Sequence, residues 1–324
     1  MSLGGTSAEI FDRFRWPTFE LPPRAIELAE SVIGRADIRI CYVVATWGGI
    51  RRIPNVGHDA DPSYYVAHHL RWLARFASPF VQRVVVAAPW LPKEPQDGSS
   101  EYHAALERAV EGCEIEAVLF RRPNVGMSYG SFSDVWRATK DDGFTHWIFN
   151  EDDYVYPVGS FDHILVGKLL SDPELGYVGG YIRRNHTREH AGICSGIASA
   201  EDLAALAADS GSGVLPHDNR PEMGSDYPAN QWGQVHWTNR YHAIGKKLAD
   251  LVPDGLSCGY IRPRAKMTWY DPPDGLRRPF IAPIQAFEPE EWGLGWAGPK
   301  DAAEEYQAEK KPGRYEQKRA RWRG

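Results

Sequence analysis

The segment richest in reactive groups is Asn150-Glu151-Asp152-Asp153, three consecutive acids closing the apolar run His146 to Phe149. Adjacent carboxylates repel one another, which costs free energy unless a cation or a hydrogen-bond donor offsets it. Hard divalent ions such as Mg2+ and Mn2+ take carboxylate oxygens and share their coordination shell with substrate phosphates. The competing reading is a solvated acidic turn. Placement at the end of a buried strand favours the ion, because ligands of open α/β sheets bind at the carboxyl ends of the strands. Upstream, Arg121-Arg-Pro-Asn-Val-Gly126 leads into a helical stretch. Asn124 and Gly126 suit a ligand-cradling turn and equally a helix cap. Arg122 suits an anion contact or a surface charge. Thr46 and Trp47 close the first strand, where they either border a ligand or simply plug the sheet.

These residues need a scaffold, and the apolar pattern supplies one. Ile38–Ala45, Val81–Ala88, Glu114–Phe120 and His146–Phe149 read as strands, and the near-continuous β-rich runs among them suit strands buried on both faces. Between them Tyr64–Phe76, Tyr102–Val110 and Ser128–Thr139 carry helical spacing. Such alternation is the mark of a doubly wound α/β sheet. Further on, the pattern predicts a helix over 161–170, strands over 175–182 and 192–198, and a helix over 200–208. A long Gly-, Pro- and Asp-rich loop over 209–228 follows, then a long helix over 231–251 and a late strand over 257–267. A loop of that length within a compact domain is usually functional or mobile. No repeat or clean linker interrupts the chain, so the sequence favours one integrated fold: an N-terminal extension (1–36), a catalytic body (37–270, halves 37–156 and 157–270) and a C-terminal extension (271–324).

Composition narrows the class. The chain has 324 residues, 43% hydrophobic and 25% charged, close to globular averages, which excludes a disordered chain or a coiled coil. No apolar run reaches the ~18 residues of a membrane span. Cys41, Cys113, Cys194 and Cys258 form no close pair, so the expectation is a reducing, cytoplasmic setting without a zinc cluster. The twelve tryptophans suit a core or flat platforms for sugars and bases. The net charge is −6, yet residues 310–324 carry seven basic side chains against Glu316 alone. An acidic body with a basic tail can mark an anionic partner, and equally a solvated helix end.

The order strand–Thr over 40–46, Arg-Pro-Asn-Val-Gly, helix, apolar strand and Glu-Asp-Asp resembles the nucleotide-sugar half of GT-A fold glycosyltransferases, especially the family-2-like group. There an Asn-x-Gly opens a helix, and the next strand ends in Asp-x-Asp. The match runs over residues 37–200, and it includes Val178-Gly-Gly-Tyr-Ile and Gly192-Ile-Cys-Ser-Gly-Ile-Ala-Ser-Ala-Glu-Asp-Leu, which resemble the acceptor-side strand and helix. The resemblance implies a Rossmann-like (GT-A) α/β fold, with a mixed, mostly parallel sheet flanked by helices and C-terminal additions. It implies transfer of a sugar from a nucleoside-diphosphate donor, UDP-linked, to an acceptor hydroxyl with Mn2+ or Mg2+. Glu151 and Asp153 would hold the metal, Asp152 would face the ribose, and a late histidine would complete the metal shell, His217 in the long loop ahead of His236 and His242. Thr46 and Trp47 would border the base, Asn124 and Gly126 would lie under base and ribose, and Arg122 would touch the nucleotide. An inverting enzyme also needs a base to deprotonate the acceptor. In the window Pro221–Pro228, Asp226 is the first candidate and Glu222 the second.

Three positions depart from the family. The first acid is Glu, Val84–Ala88 runs into Ala-Ala-Pro where an acid is common, and Tyr129-Gly130-Ser131 replaces the usual Arg or Asn. Arg183, Arg184, His186, Arg188 and His190 make a basic cluster suited to the diphosphate, to an anionic acceptor or to an exposed turn. By analogy with the base J-like DNA glycosyltransferases of phages and kinetoplastids, the acceptor could be a hydroxymethylated DNA base, with tail 310–324 contacting phosphates. The alternatives are a nucleotidyltransferase, for which Thr46-Trp-Gly-Gly-Ile-Arg-Arg52 is a partial phosphate loop, and a non-catalytic sugar- or nucleic-acid-binding protein.

Overall fold

The computed structural model describes residues 21–46, 63–90, 100–180, 182–185, 188–191, 195–210, 229–262, 265–270 and 278–283. In chain order its strands are β1 (Ile40–Ala45), β2 (Val81–Pro89), β3 (Ala117–Arg122), β4 (His146–Glu151), β5 (Tyr154–Val155), β6 (Leu175–Gly179), β7 (Ile182–Asn185), β8 (Arg188–Ala191), β9 (Ser195–Ser199), β10 (Lys247–Ala249), β11 (Ser257–Arg262), β12 (Ala265–Tyr270) and β13 (Arg278–Pro283). The helices are α1 (Pro23–Glu30), α2 (Tyr64–Phe76), α3 (Glu101–Glu111), α4 (Met127–Thr139), α5 (Phe161–Leu170), α6 (Ala200–Ser210) and α7 (Ala229–Ala243).

Seven strands form the main sheet in the order β10-β6-β9-β4-β1-β2-β3. β3, β2, β1 and β4 are mutually parallel, β9 runs antiparallel to both β4 and β6, and β10 is parallel to β6. β9 is thus the one reversed strand of this sheet, and the expected mixed, mostly parallel α/β fold is present. The succession β3-β2-β1-β4 puts a topological switch point between β1 and β4, where the winding reverses direction.

Strand alternation builds two cores. Along β1, Ile40, Tyr42 and Val44 face the core shared with α1, α2, α3 and α5, while Cys41, Val43 and Ala45 face the core shared with α4, α6 and α7. Both faces are covered, which is why the parallel strands read as unbroken apolar runs. Trp72, Trp136, Trp147 and Trp237 are all buried, so these four tryptophans are core rather than platforms. Trp237 packs against Tyr129, Phe132, Phe149 and Tyr177, which seats α7 on α4 and the sheet.

The second half differs from the sequence pattern at three points. The expected helix over 231–251 ends at Ala243, because Gly245 adopts φ +76° and the Lys246 N–H turns back to the Tyr241 carbonyl at 2.9 Å. The chain then re-enters the sheet as β10. The single strand expected over 257–267 is the antiparallel pair β11–β12. The strand expected over 175–182 stops at Gly179, and residues 182–185 pair antiparallel with 188–191 as β7 and β8 in a separate sheet.

A second sheet, β11-β12-β13-β5, lies directly downstream of the acids. β13 pairs with β5 and buries Phe280 and Ile281, so residues 278–283 belong to the packed body. Residues 23–32 do as well, since Ala25, Leu28 and Val32 of the N-terminal segment are core.

Candidate functional site

The acids lie where β4 leaves the main sheet and β5 enters the second one. Ala45 is in register with Glu151, and the Asp152 N–H donates to the Ala45 carbonyl at 3.0 Å. Glu151, Asp152 and Asp153 therefore lie on the carboxyl edge of the sheet, at the switch point, beside Thr46 at the end of β1.

The three carboxylates have different surroundings. Asp152 is 2% exposed, and its Oδ2 accepts a 2.6 Å hydrogen bond from the Thr46 hydroxyl. Asp152, expected from the sequence to face the ribose, has its carboxylate turned into the protein, where it ties β4 to β1. Thr46 is itself buried at this bond and serves as the tie's donor. Glu151 is half-buried and accepts from the Ser128 hydroxyl at 2.6 Å. Ser128 lies in the first turn of α4, so Glu151 is drawn towards a helix N-terminus, which favours negative charge. Asp153 is half-buried in the turn before Tyr154.

A buried polar network supports this turn from beneath. His69 Nδ1 lies 3.2 Å from the Asp152 carbonyl oxygen and its Nε2 lies 3.0 Å from the Tyr42 hydroxyl. Asn150 Nδ2 donates to the Tyr42 hydroxyl at 2.7 Å and to the Tyr154 carbonyl at 2.9 Å. Burial lowers the His69 pKa to about 4, opposed by its hydrogen bond to the Asp152 backbone, so the ring is neutral at pH 7. A carbonyl only accepts, so Nδ1 carries the proton. Nε2 then accepts, Tyr42 donates to it, and the Tyr42 oxygen accepts from Asn150. Burial also raises the Tyr42 pKa well above its ordinary value, which keeps the phenol proton available for that bond. The donor and acceptor directions are consistent throughout. Sequence reading missed Ser128, Tyr42, His69 and Asn150; the available signals were a phenol inside an otherwise apolar strand and a histidine on a core helix.

The turn before α4 is built differently from the sequence expectation. Arg122 is 2% exposed. Its Nε donates to Asp134 at 2.7 Å, its Nη1 to Ser131 at 3.2 Å and its Nη2 to the Val125 carbonyl. The guanidinium of Arg122, expected from the sequence to touch the nucleotide, braces the 122–126 turn from inside. Gly126 is the N-cap of α4, with φ +75°. Asn124, half-buried, lies two residues earlier and is not that cap. Gly130 explains the departure at Tyr129-Gly130-Ser131. A Cβ there would lie 1.9 Å from the Val125 carbonyl oxygen and 2.6 Å from Arg122 Nη2, so only glycine lets the turn fold back on its own helix.

Trp47, His217, Glu222 and Asp226 lie outside the described residues, as does the tail 310–324. Among the described residues no group of three or more His, Cys, Asp and Glu side chains could hold a metal ion. The expectation from the sequence is that Glu151 and Asp153 hold an ion of the Mg2+ type. Such an ion is commonly bound by one or two carboxylates plus substrate phosphates rather than by an all-protein cage.

No family model matches this chain, and no curated protein matches it. Among solved structures, it is similar to a cytidylyltransferase from Leptospira borgpetersenii (13% identity, 66% of this chain and 75% of that one, TM-score 0.39). It is also similar to glucosyl-3-phosphoglycerate synthase from Mycobacterium tuberculosis in complex with Mn2+ and UDP-glucose (14% identity, 73% and 75%, TM-score 0.37). A third is CMP:2-keto-3-deoxy-manno-octonic acid synthetase complexed with CTP (14% identity, 65% and 88%, TM-score 0.35). Among the described residues no helix is long and apolar enough to cross a membrane.

Proposed function

We propose that this chain is a metal-dependent GT-A-like glycosyltransferase that moves a sugar from a nucleoside-diphosphate donor, UDP-linked, to an acceptor hydroxyl. The observation that carries the reading is the acidic turn Glu151–Asp153 at the switch point of the sheet, beside the cap of α4. Asp152 and Thr46 fix the turn, which leaves Glu151 and Asp153 as the carboxylates that would hold Mn2+ or Mg2+. When bound, the ion supplies positive charge against the departing diphosphate. Gly126 and Asn124 shape the turn beside it, where the nucleotide would lie, with Trp47 bordering the base. The general base is assigned to the 221–228 window, with Asp226 ahead of Glu222 and His217 as a further metal ligand.

The test is Asp153→Ala. With the fold intact by circular dichroism, calorimetry should show that UDP-glucose binding no longer responds to Mn2+. A metal-dependent affinity equal to that of the parent chain would sink the assignment. A mass-spectrometric screen of donors against acceptors, with hydroxymethylcytosine DNA among the acceptors, then names the substrates. Pyrophosphate release from a nucleoside triphosphate, without sugar transfer, would assign nucleotidyl transfer instead. The DNA-acceptor proposal rests on the basic tail, and equal duplex affinity at low salt with and without residues 310–324 would count against it.

A further inference from the structure

We infer that His69 is a positioning residue for the acidic turn, acting through the backbone of Asp152 with its Nε2 held by Tyr42. The inference deepens the reading above and rests on it. The turn joins two sheets, and a loop of consecutive acids has no intrinsic reason to hold one conformation against their mutual repulsion. Here it is held from several sides. Ala45 accepts its Asp152 N–H, Thr46 holds the Asp152 carboxylate, Asn150 donates to the Tyr154 carbonyl, and His69 donates to the Asp152 carbonyl. The His69 contact comes from α2.

That helix is itself rigidly seated. Val66, Leu70 and Leu73 of α2 are core, and His69 between them is 1% exposed. Its ring lies edge-on to Tyr42 with centroids 5.5 Å apart, and Tyr42 in turn packs edge-on against Phe161. A ring held at both nitrogens directs its one N–H at the carbonyl between Asp152 and Asp153. The directions in which Glu151 and Asp153 project are thereby tied to α2. Groups behind metal-binding side chains act in this way, by orienting the ligands without touching the ion.

Two substitutions separate positioning from space-filling. His69→Asn keeps an amide N–H near the Nδ1 position and loses the partner of Tyr42. His69→Gln keeps an amide near the Nε2 position and loses the donor to Asp152. The readout is the factor by which Mn2+, compared with EDTA, tightens UDP binding in calorimetry, alongside the melting temperature. His69→Gln should reduce that factor about 10–100-fold, while His69→Asn should keep it near that of the parent chain even if both melt earlier. A parental factor in both variants, or an equal fall in both, overturns the positioning role. Should His69→Gln not fold, Tyr42→Phe carries the test, since it deletes the hydroxyl that holds the ring at Nε2; a reduced factor supports the role and an unchanged one overturns it. A parent chain whose UDP binding ignores Mn2+ would instead overturn the site assignment itself.

Discussion

Replacing Gly130 by alanine sets two physical effects against each other. Gly130 lies inside α4, where helix propensity alone favours alanine by about 1 kcal/mol. Packing predicts the opposite. The added Cβ would lie 1.9 Å from the Val125 carbonyl oxygen, and ordinary contact begins at 3.4 Å, so helix and turn must separate by about 1.5 Å. The obstructing atom is backbone, and Arg122 locks it in place with bonds to Val125, Ser131 and Asp134, so no flexible side chain can swing aside. Overpacking of this kind costs roughly 1–3 kcal/mol. It exceeds the propensity gain over most of that range, and melting should fall by a few degrees. Because the displaced segment is the Asn124–Gly126 turn proposed to lie under the nucleotide, turnover should fall more than stability, by about 10²-fold for a shift of an ångström or more. The assay is Mn2+-dependent UDP release from UDP-glucose beside a thermal melt. Gly159→Ala is the control, since a Cβ there meets nothing within 4 Å. If Gly130→Ala melts at or above the parent temperature and releases UDP at the parent rate, propensity has won and the close approach does not shape the site. Equal losses in the control would show that the effect is not local.

Gly167→Ala tests the docking of the N-terminal helix. The Cβ would lie 2.0 Å from the Leu28 carbonyl oxygen, so stability should drop by roughly 1–3 kcal/mol while Mn2+-dependent UDP affinity stays unchanged, as calorimetry would check. Thr46→Val keeps shape but deletes the donor to a buried carboxylate; urea unfolding should show a loss of about 1.5–3 kcal/mol, and no loss would deny the tie between β1 and β4. His146 supplies a pH test far along β4 from the acids. Burial, and secondarily the charge of Arg35, lowers its pKa to about 4 against an ordinary 6.5, while Asp37 and Asp202 act in the opposite sense. The unfolded chain therefore binds the proton first on acidification. The contribution is complete above pH 6.5 and is lost as pH falls to about 4, a span worth on the order of 3 kcal/mol. His69 titrates in the same window, so His146→Gln should flatten only part of the decline in urea-unfolding free energy.

The amino-acid sequence alone specifies the first half of the fold. The alternation from Ile40 to Glu151 was legible because β1, β2 and β4 are buried on both faces and each helix on one, so hydrophobicity alone marks them. It was less informative after residue 170, where short strands such as β10 carry little pattern and where one glycine at φ +76° ends a helix that composition would continue. It also located the acidic run and the Asn-Val-Gly turn, since three adjacent acids and a glycine at a strand–helix junction are local features. Which groups those residues meet is not local. Thr46 and Asp152 are 106 residues apart, and His69 and Asp152 are 83 apart. Arg122 looked like a cation awaiting an anion, but folding surrounds it with its own turn and Asp134. Asp152 looked like its two neighbours, yet strand register turns it inward to Thr46 while Glu151 is drawn to the start of α4. Three like charges in a row became three different groups because hydrogen-bond donors reach them from β1, α2 and α4, and only the tertiary structure brings those elements together.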